Sequence, residues 1–163
     1  MFLQEIFAAI YQNNIAFLRN NVNSGNINLQ NANGDTFLNI AAGNNNLEIV
    51  NFLLSFSNID VNIQNNGGNT PLMRAVFYGY NDIVRRLLQV PNIDINLQNG
   101  RGYTALIFAP KFNNVIGLRL LLNMSNIDVN LSTHSGKTAL SVARDFDRTQ
   151  IESILLERPD IRI

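Results

Sequence analysis

The chain has 163 residues, enough for one ordinary domain or one short repeat array, and 46% hydrophobic content can supply its core. Its 12 basic and 12 acidic side chains cancel, so net charge provides no steering toward nucleic acid or an anionic membrane. The lack of cysteine excludes disulfides and thiolate metal sites and fits a reducing, cytoplasmic compartment.

The apolar start MFLQEIFAAI carries Glu5 and has no basic segment before it, so it reads as a helix and not as a signal peptide. No apolar run in the chain approaches the roughly 18 residues that a membrane span requires. Residues 1–30 read as a helix pair, about Phe2 to Tyr11 and Asn14 to Asn21, ending in NINLQ. From there the sequence repeats with a period of 34 residues, giving units 31–64, 65–98, 99–132 and 133–163. Thr36, Thr70, Thr104 and Thr138 share one phase, and each follows a glycine by two: Gly34, Gly68, Gly102 and Gly136. Leu38, Leu72, Leu106 and Leu140 come next, then Ala41, Ala75, Ala109 and Ala143. Paired leucines follow at 53–54, 87–88, 121–122 and 155–156, and Asn28, Asn62, Asn96 and Asn130 close each unit.

Each recurring slot has a physical reason. Glycine suits a tight hairpin turn that needs positive φ. Threonine caps a first helix through its hydroxyl, and Pro71 after Thr70 sits where a missing N–H costs nothing. After a polar break, Ile49, Val50, Leu53 and Leu54, or Ile83, Val84, Leu87 and Leu88, form the buried stripe of a second helix. The tails SNIDVN and PNIDIN then lead to the next hairpin, with Asp60, Asp94 and Asp128 placed to bond local backbone. The 28 asparagines fall in this phase, which favours turns and caps over disorder. In the last unit Glu152 replaces the valine of the second helix, as expected of a face that meets water.

GNTPLMRA (residues 68–75), the paired leucines and the IDVN tail resemble the G-x-T-P-L-H-x-A pattern of the ankyrin-repeat family. The resemblance spans essentially the whole chain, with departures. The family's histidine slot holds Asn39, Met73, Ile107 and Ser141, and the proline slot holds Phe37, Ala105 and Ala139 outside one unit. The unit is also one residue longer than the usual length of about 33. The resemblance implies an all-α solenoid of stacked helix-turn-helix units joined by short β-hairpin-like loops. It implies no catalysis, no cofactor, and a protein partner on the concave face and hairpin tips. Asparagine-rich arrays of this kind resemble those of host-associated bacteria, protists and large DNA viruses, which often act on host proteins. By that analogy the role is a microbial effector or regulatory adaptor, although no secretion signal is readable.

The unit 99–132 deviates twice. Pro110 falls inside the first helix, where it should kink it or end it early at roughly 3 kcal/mol. Gly117 replaces a second-helix isoleucine, at about 1 kcal/mol of propensity, and should leave space for Val115 and Ile116 to fill. Drift in a tolerant array and reshaping of a binding surface both account for this.

Chemistry is sparse. His134 is the one histidine, and the glycine pairs lack the Lys-Ser/Thr of a phosphate loop. By register, the tips and exposed first-helix ends of the first internal unit are small and polar: Ala32, Asn33, Asp35, Gly43 and Asn44. The later units place Phe77, Tyr78, Tyr103, Phe112 and Phe146 beside Arg101, Lys111, His134 and Lys137. Aromatics with arginine favour a protein interface, and the basic component favours an acidic partner segment with cation–π contacts. Phe77 and Phe112 either serve this surface or pack between helices, whereas Arg101 and Tyr103 are expected to be exposed. Too few basic residues are present for a nucleic-acid track, and a monomer is expected. The rival readings are a small-ligand or catalytic cleft near Pro110 and Gly117, and an inert spacer.

Overall fold

The computed structural model describes residues 2–163 and leaves Met1 outside the described residues. These residues form ten helices in five successive pairs. The pairs are α1 (Phe2–Tyr11) with α2 (Ile15–Asn21), α3 (Phe37–Gly43) with α4 (Leu47–Leu53), and α5 (Pro71–Tyr78) with α6 (Asn81–Leu88). They continue with α7 (Ala105–Lys111) and α8 (Val115–Leu122), then α9 (Ala139–Asp145) and α10 (Thr149–Leu156). First helices stack on first helices along the array, and second helices on second helices. The loops between pairs are hairpin-like, with isolated antiparallel bridges Gln30–Thr36 and Ser132–Thr138. This is the all-α solenoid expected from the repeat.

Helices of seven or eight residues cannot stand alone in water, so their ends are fixed by side chains. The hydroxyls of Thr36, Thr70, Thr104 and Thr138 accept from the backbone N–H three residues on, at 3.1–3.2 Å. Asn39, in the family's histidine slot, completes a reciprocal cap on Thr36 and donates its amide to the Asn69 carbonyl at 3.2 Å. The second helices start differently. Asn13, Asn45, Asn113 and Asp147 take positive φ, and Asn14, Asn46 and Asn114 then cap α2, α4 and α8.

Gly34, Gly68 and Gly102 meet two demands at once. Their φ is 73–78°, and a side chain there would drive into the next hairpin; a Cβ on Gly68 would lie 2.5 Å from the Gly100 nitrogen. That approach lets hairpin tips bond in series: Asn66 N–H to the Asn33 carbonyl, Gly100 to Gly67, and His134 to Arg101, at 3.0–3.1 Å.

Side-chain amides tie the tails together. Asn28, Asn62, Asn96 and Asn130 each donate to a carbonyl of the next tail (Asn58, Asn92, Asn126, Asp160) at 2.7–2.8 Å. Each also accepts an N–H from that tail, of Asp60, Asp94, Asp128 or Arg162, at 2.8–2.9 Å. Asp60, Asp94 and Asp128 accept from the N–H two residues on, as their position in the turn predicts. Gln30, Gln64 and Gln98 form a parallel series to the Gln64, Gln98 and Ser132 carbonyls. The phase of the asparagines is therefore structural.

The core runs the length of the stack. Ile49, Val50 and Leu53, like Ile83, Val84 and Leu87, are fully buried, but Leu54 and Leu88 are only half-buried and close the stripe at its edge. In the last pair Arg144 and Glu152 stand in register with buried Val76 and Val84 and form an ion pair at 2.7 Å. No later helix pair covers them in the described residues, and there charge replaces valine.

The irregular unit is less disturbed than its sequence predicts. α7 has seven residues, the same as α3 and α9, so Pro110 neither shortens nor ends it. The ring lies in the last turn, where only one helical donor is missing, and the Phe112 and Asn114 N–H groups still reach Phe108 and Ala109. The expected space behind Gly117 is also absent. The Asn114 amide folds into it, accepting from the Gly117 N–H at 2.8 Å and donating to the Val76 carbonyl at 3.0 Å. A Cβ on Gly117 would lie 2.5 Å from Asn114 Nδ2. Ile116 fills nothing and points outward, 56% exposed.

Equilibrium unfolding in urea tests these contacts. Asn96→Ala should cost about 1–3 kcal/mol, for two lost bonds between tails. Asn123→Ala, at an exposed helix end, should stay within about 0.5 kcal/mol. Gly117→Ala should fail to gain the helix propensity of about 1 kcal/mol in the native background and should gain it in an Asn114→Ala background.

Candidate protein-binding groove

The largest aromatic cluster lies where the second and third internal units meet. A groove of about 440 Å³ opens there, with α5, α7 and the two hairpin tips as its walls. Phe77 and Phe112 touch, with ring centroids 4.1 Å apart, and remain 36% and 41% exposed. They therefore pack on each other and face solvent at the same time. Tyr78 adds an edge contact to Phe77 at 4.7 Å and stacks on Tyr80 at 5.6 Å.

Tyr103 differs from expectation. It is half-buried because its ring stacks on Phe108 at 5.1 Å and 16°. Lys111 sits over it, Nζ 4.4 Å from the ring centroid, and donates to the Tyr103 hydroxyl at 3.1 Å. This cation–π contact and hydrogen bond fix the ammonium in place. Arg101 is exposed on the neighbouring tip, as its position predicts.

The floor of the groove is polar and was not foreseen. Arg74 Nη1 pairs with Asp35 Oδ1 at 2.8 Å, and Asn65 donates to the same oxygen at 2.8 Å. Asp35 is thus buried, contrary to its expected place on an exposed tip. Arg74 reaches it by lying across Gly43, where a Cβ would be 2.5 Å from Arg74 Nε, so Gly43 is buried as well. Next along, Asn99 donates to Asn69 Oδ1 at 2.9 Å. One signal for this floor was present in the sequence: Arg74 occupies the slot that holds Ile40, Phe108 and Val142, a charge at an apolar position.

The structure thus brings Phe77, Tyr78, Arg101, Tyr103, Lys111 and Phe112 into one groove and adds Met73, Arg74 and Phe108. His134, Lys137 and Phe146 lie one unit further on. Lys137 is paired with Asp145 at 2.7 Å, Phe146 has the Arg148 guanidinium 6.0 Å from its ring, and His134 is exposed on its tip. A shallower depression shares Tyr78 and Phe112 with the groove and continues to Asn81 and Ile116. Among the described residues no helix is long and apolar enough to cross a membrane.

Comparison with known families agrees with this architecture. A model of ankyrin repeats in three copies matches residues 6–99, and one of ankyrin repeats in many copies matches residues 92–143. The chain belongs to the ankyrin-repeat family. Such repeats are generally non-catalytic protein–protein interaction modules. No curated protein matches the sequence.

Removing Arg74 strands the Asp35 carboxylate, which keeps only the Asn65 amide. Arg74→Ala should therefore cost about 1–3 kcal/mol. The double substitution Arg74→Met with Asp35→Asn should cost less than that, measured by urea unfolding.

Proposed function

We propose that this protein is a non-catalytic binding module that seats a protein partner in the groove between its second and third internal units. One observation supports this above the others. Phe77, Tyr78 and Phe112 remain exposed on the rim of a groove whose floor carries the Arg74–Asp35 ion pair. Large aromatics and arginine over an ordered, partly desolvated base are what binding hot spots use. His134, Lys137 and Phe146 extend the same face, and we assign them a peripheral part in it. The asparagine-rich composition supports, by analogy alone, an adaptor or effector acting on a partner in a host cell.

The rival cleft near Pro110 and Gly117 finds little support, because Asn114 occupies that space and Pro110 is buried.

In affinity capture from candidate cell lysates, Phe77→Ala with Phe112→Ala should reduce recovery of a partner about tenfold or more. Arg85→Ala, on the exposed side of α6, should leave it unchanged. Recovery that depends on α6 and ignores the aromatic pair would remove the groove from consideration.

A further inference from the structure

We infer, given that the groove is the binding surface, that its occupant is an extended acidic peptide segment. Its carboxylates meet Lys111 and Arg101, and its apolar side chains lie along Phe77, Phe112 and Ile116.

Charge is the first argument. No aspartate or glutamate lines the groove or the depression that continues it, among the described residues. The ion pairs of the described residues are Arg74–Asp35, Lys137–Asp145, Arg144–Glu152 and Arg158–Asp160, so Lys111 and Arg101 have no carboxylate partner. The nearby Asp35 is occupied by Arg74 and Asn65 beneath the floor. Lys111 spends one hydrogen bond on the Tyr103 hydroxyl, and an ammonium has three donors. A locally cationic groove in a chain of zero net charge selects for anionic ligands by complementarity.

Direction is the second argument. Arg101 sits on the hairpin tip, and the Lys111 ammonium lies between Tyr103 and Phe112, Nζ 4.4 and 5.9 Å from their ring centroids. Beyond Phe112 the lining continues past Tyr78 into the depression that reaches Ile116, which is 56% exposed and has no charged residue beside it in that lining. A ligand that satisfies both parts carries its acidic residues at one side of an apolar run.

The floor provides the third. Asn69 gives its Oδ1 to Asn99 and has no partner on its amide nitrogen among the described residues. An extended chain has free backbone carbonyls to offer such a donor, whereas a helix has already used its own. A nucleic-acid strand would need a track of cations along its phosphates, and two free cations do not make one.

The test is selection from a random peptide display library on the immobilised full chain. The strongest binder is then synthesised with a fluorescent label and titrated by anisotropy. We expect enrichment of aspartate or glutamate next to aromatic or aliphatic residues. Arg101→Glu with Lys111→Glu should weaken binding about tenfold or more and flatten its salt dependence. Ile116→Ser should weaken it with the salt dependence unchanged. Circular-dichroism melts establish that each variant is folded. Enriched peptides that are neutral or basic, yet lost with Phe77→Ala, would overturn the acidic assignment and leave the groove reading intact. Peptides indifferent to Phe77→Ala would overturn both. Absence of enrichment, or tighter binding of labelled oligothymidylate than of any peptide, would overturn the acidic-peptide assignment.

Discussion

Asn62 spans two units with one side chain. Its amide nitrogen donates to the Asn92 carbonyl and its oxygen accepts the Asp94 N–H, both at 2.8 Å, and Asn28, Asn96 and Asn130 do the same in their own places. Both partners lie about one repeat ahead, so the two bonds form only when successive units are in register. A slip of one residue would break the pair at every step. Helices of seven or eight residues contribute little stability alone, and a repeat array is held by what passes between neighbours. The amide series, the glutamine series and the tip-to-tip backbone bonds supply that linkage beside the apolar core.

Register in turn determines what the groove can be. The Asp35–Arg74 pair joins residues 39 apart, and Asn65 and Asn99 add their amides only because the hairpins are stacked at fixed spacing. Phe77 meets Phe112 across the same junction, and Lys111 is fixed over Tyr103 within the next unit. The surface is thus assembled by the fold itself, which on the proposed reading lowers the ordering cost of binding. The solenoid supplies rigidity, and the side chains that escape the repeat pattern supply chemistry.

Much of the fold was legible in the residues themselves. Threonine caps, turn glycines and the 34-residue phase each have a local cause, and local causes are readable. The groove was legible in part, since Phe77, Tyr78, Arg101, Tyr103, Lys111 and Phe112 depart from the repeat at neighbouring positions. What escaped was long-range or compensatory. Asp35 looks like a tip residue until Arg74 is seen crossing Gly43 to reach it. Tyr103 looks exposed until Phe108 provides a stacking face. Gly117 looks like a hole because nothing local says that Asn114 turns inward, toward a carbonyl 38 residues away. Pro110 looks disruptive because the propensity penalty ignores that the helix has one residue left to run.

Amide hydrogen exchange, on the free protein and on its complex with a groove-binding peptide, addresses register and groove together. A groove preformed on the amide series keeps the Asp94 and Asp128 N–H groups slow in both states, although both residues are exposed. Binding then adds protection at residues 66–69, 100–103 and 112–116. The opposite result is free exchange at Asp94 and Asp128 until the peptide binds, with new protection on α6 and α10. That pattern would contradict both the preformed array and the position of the site.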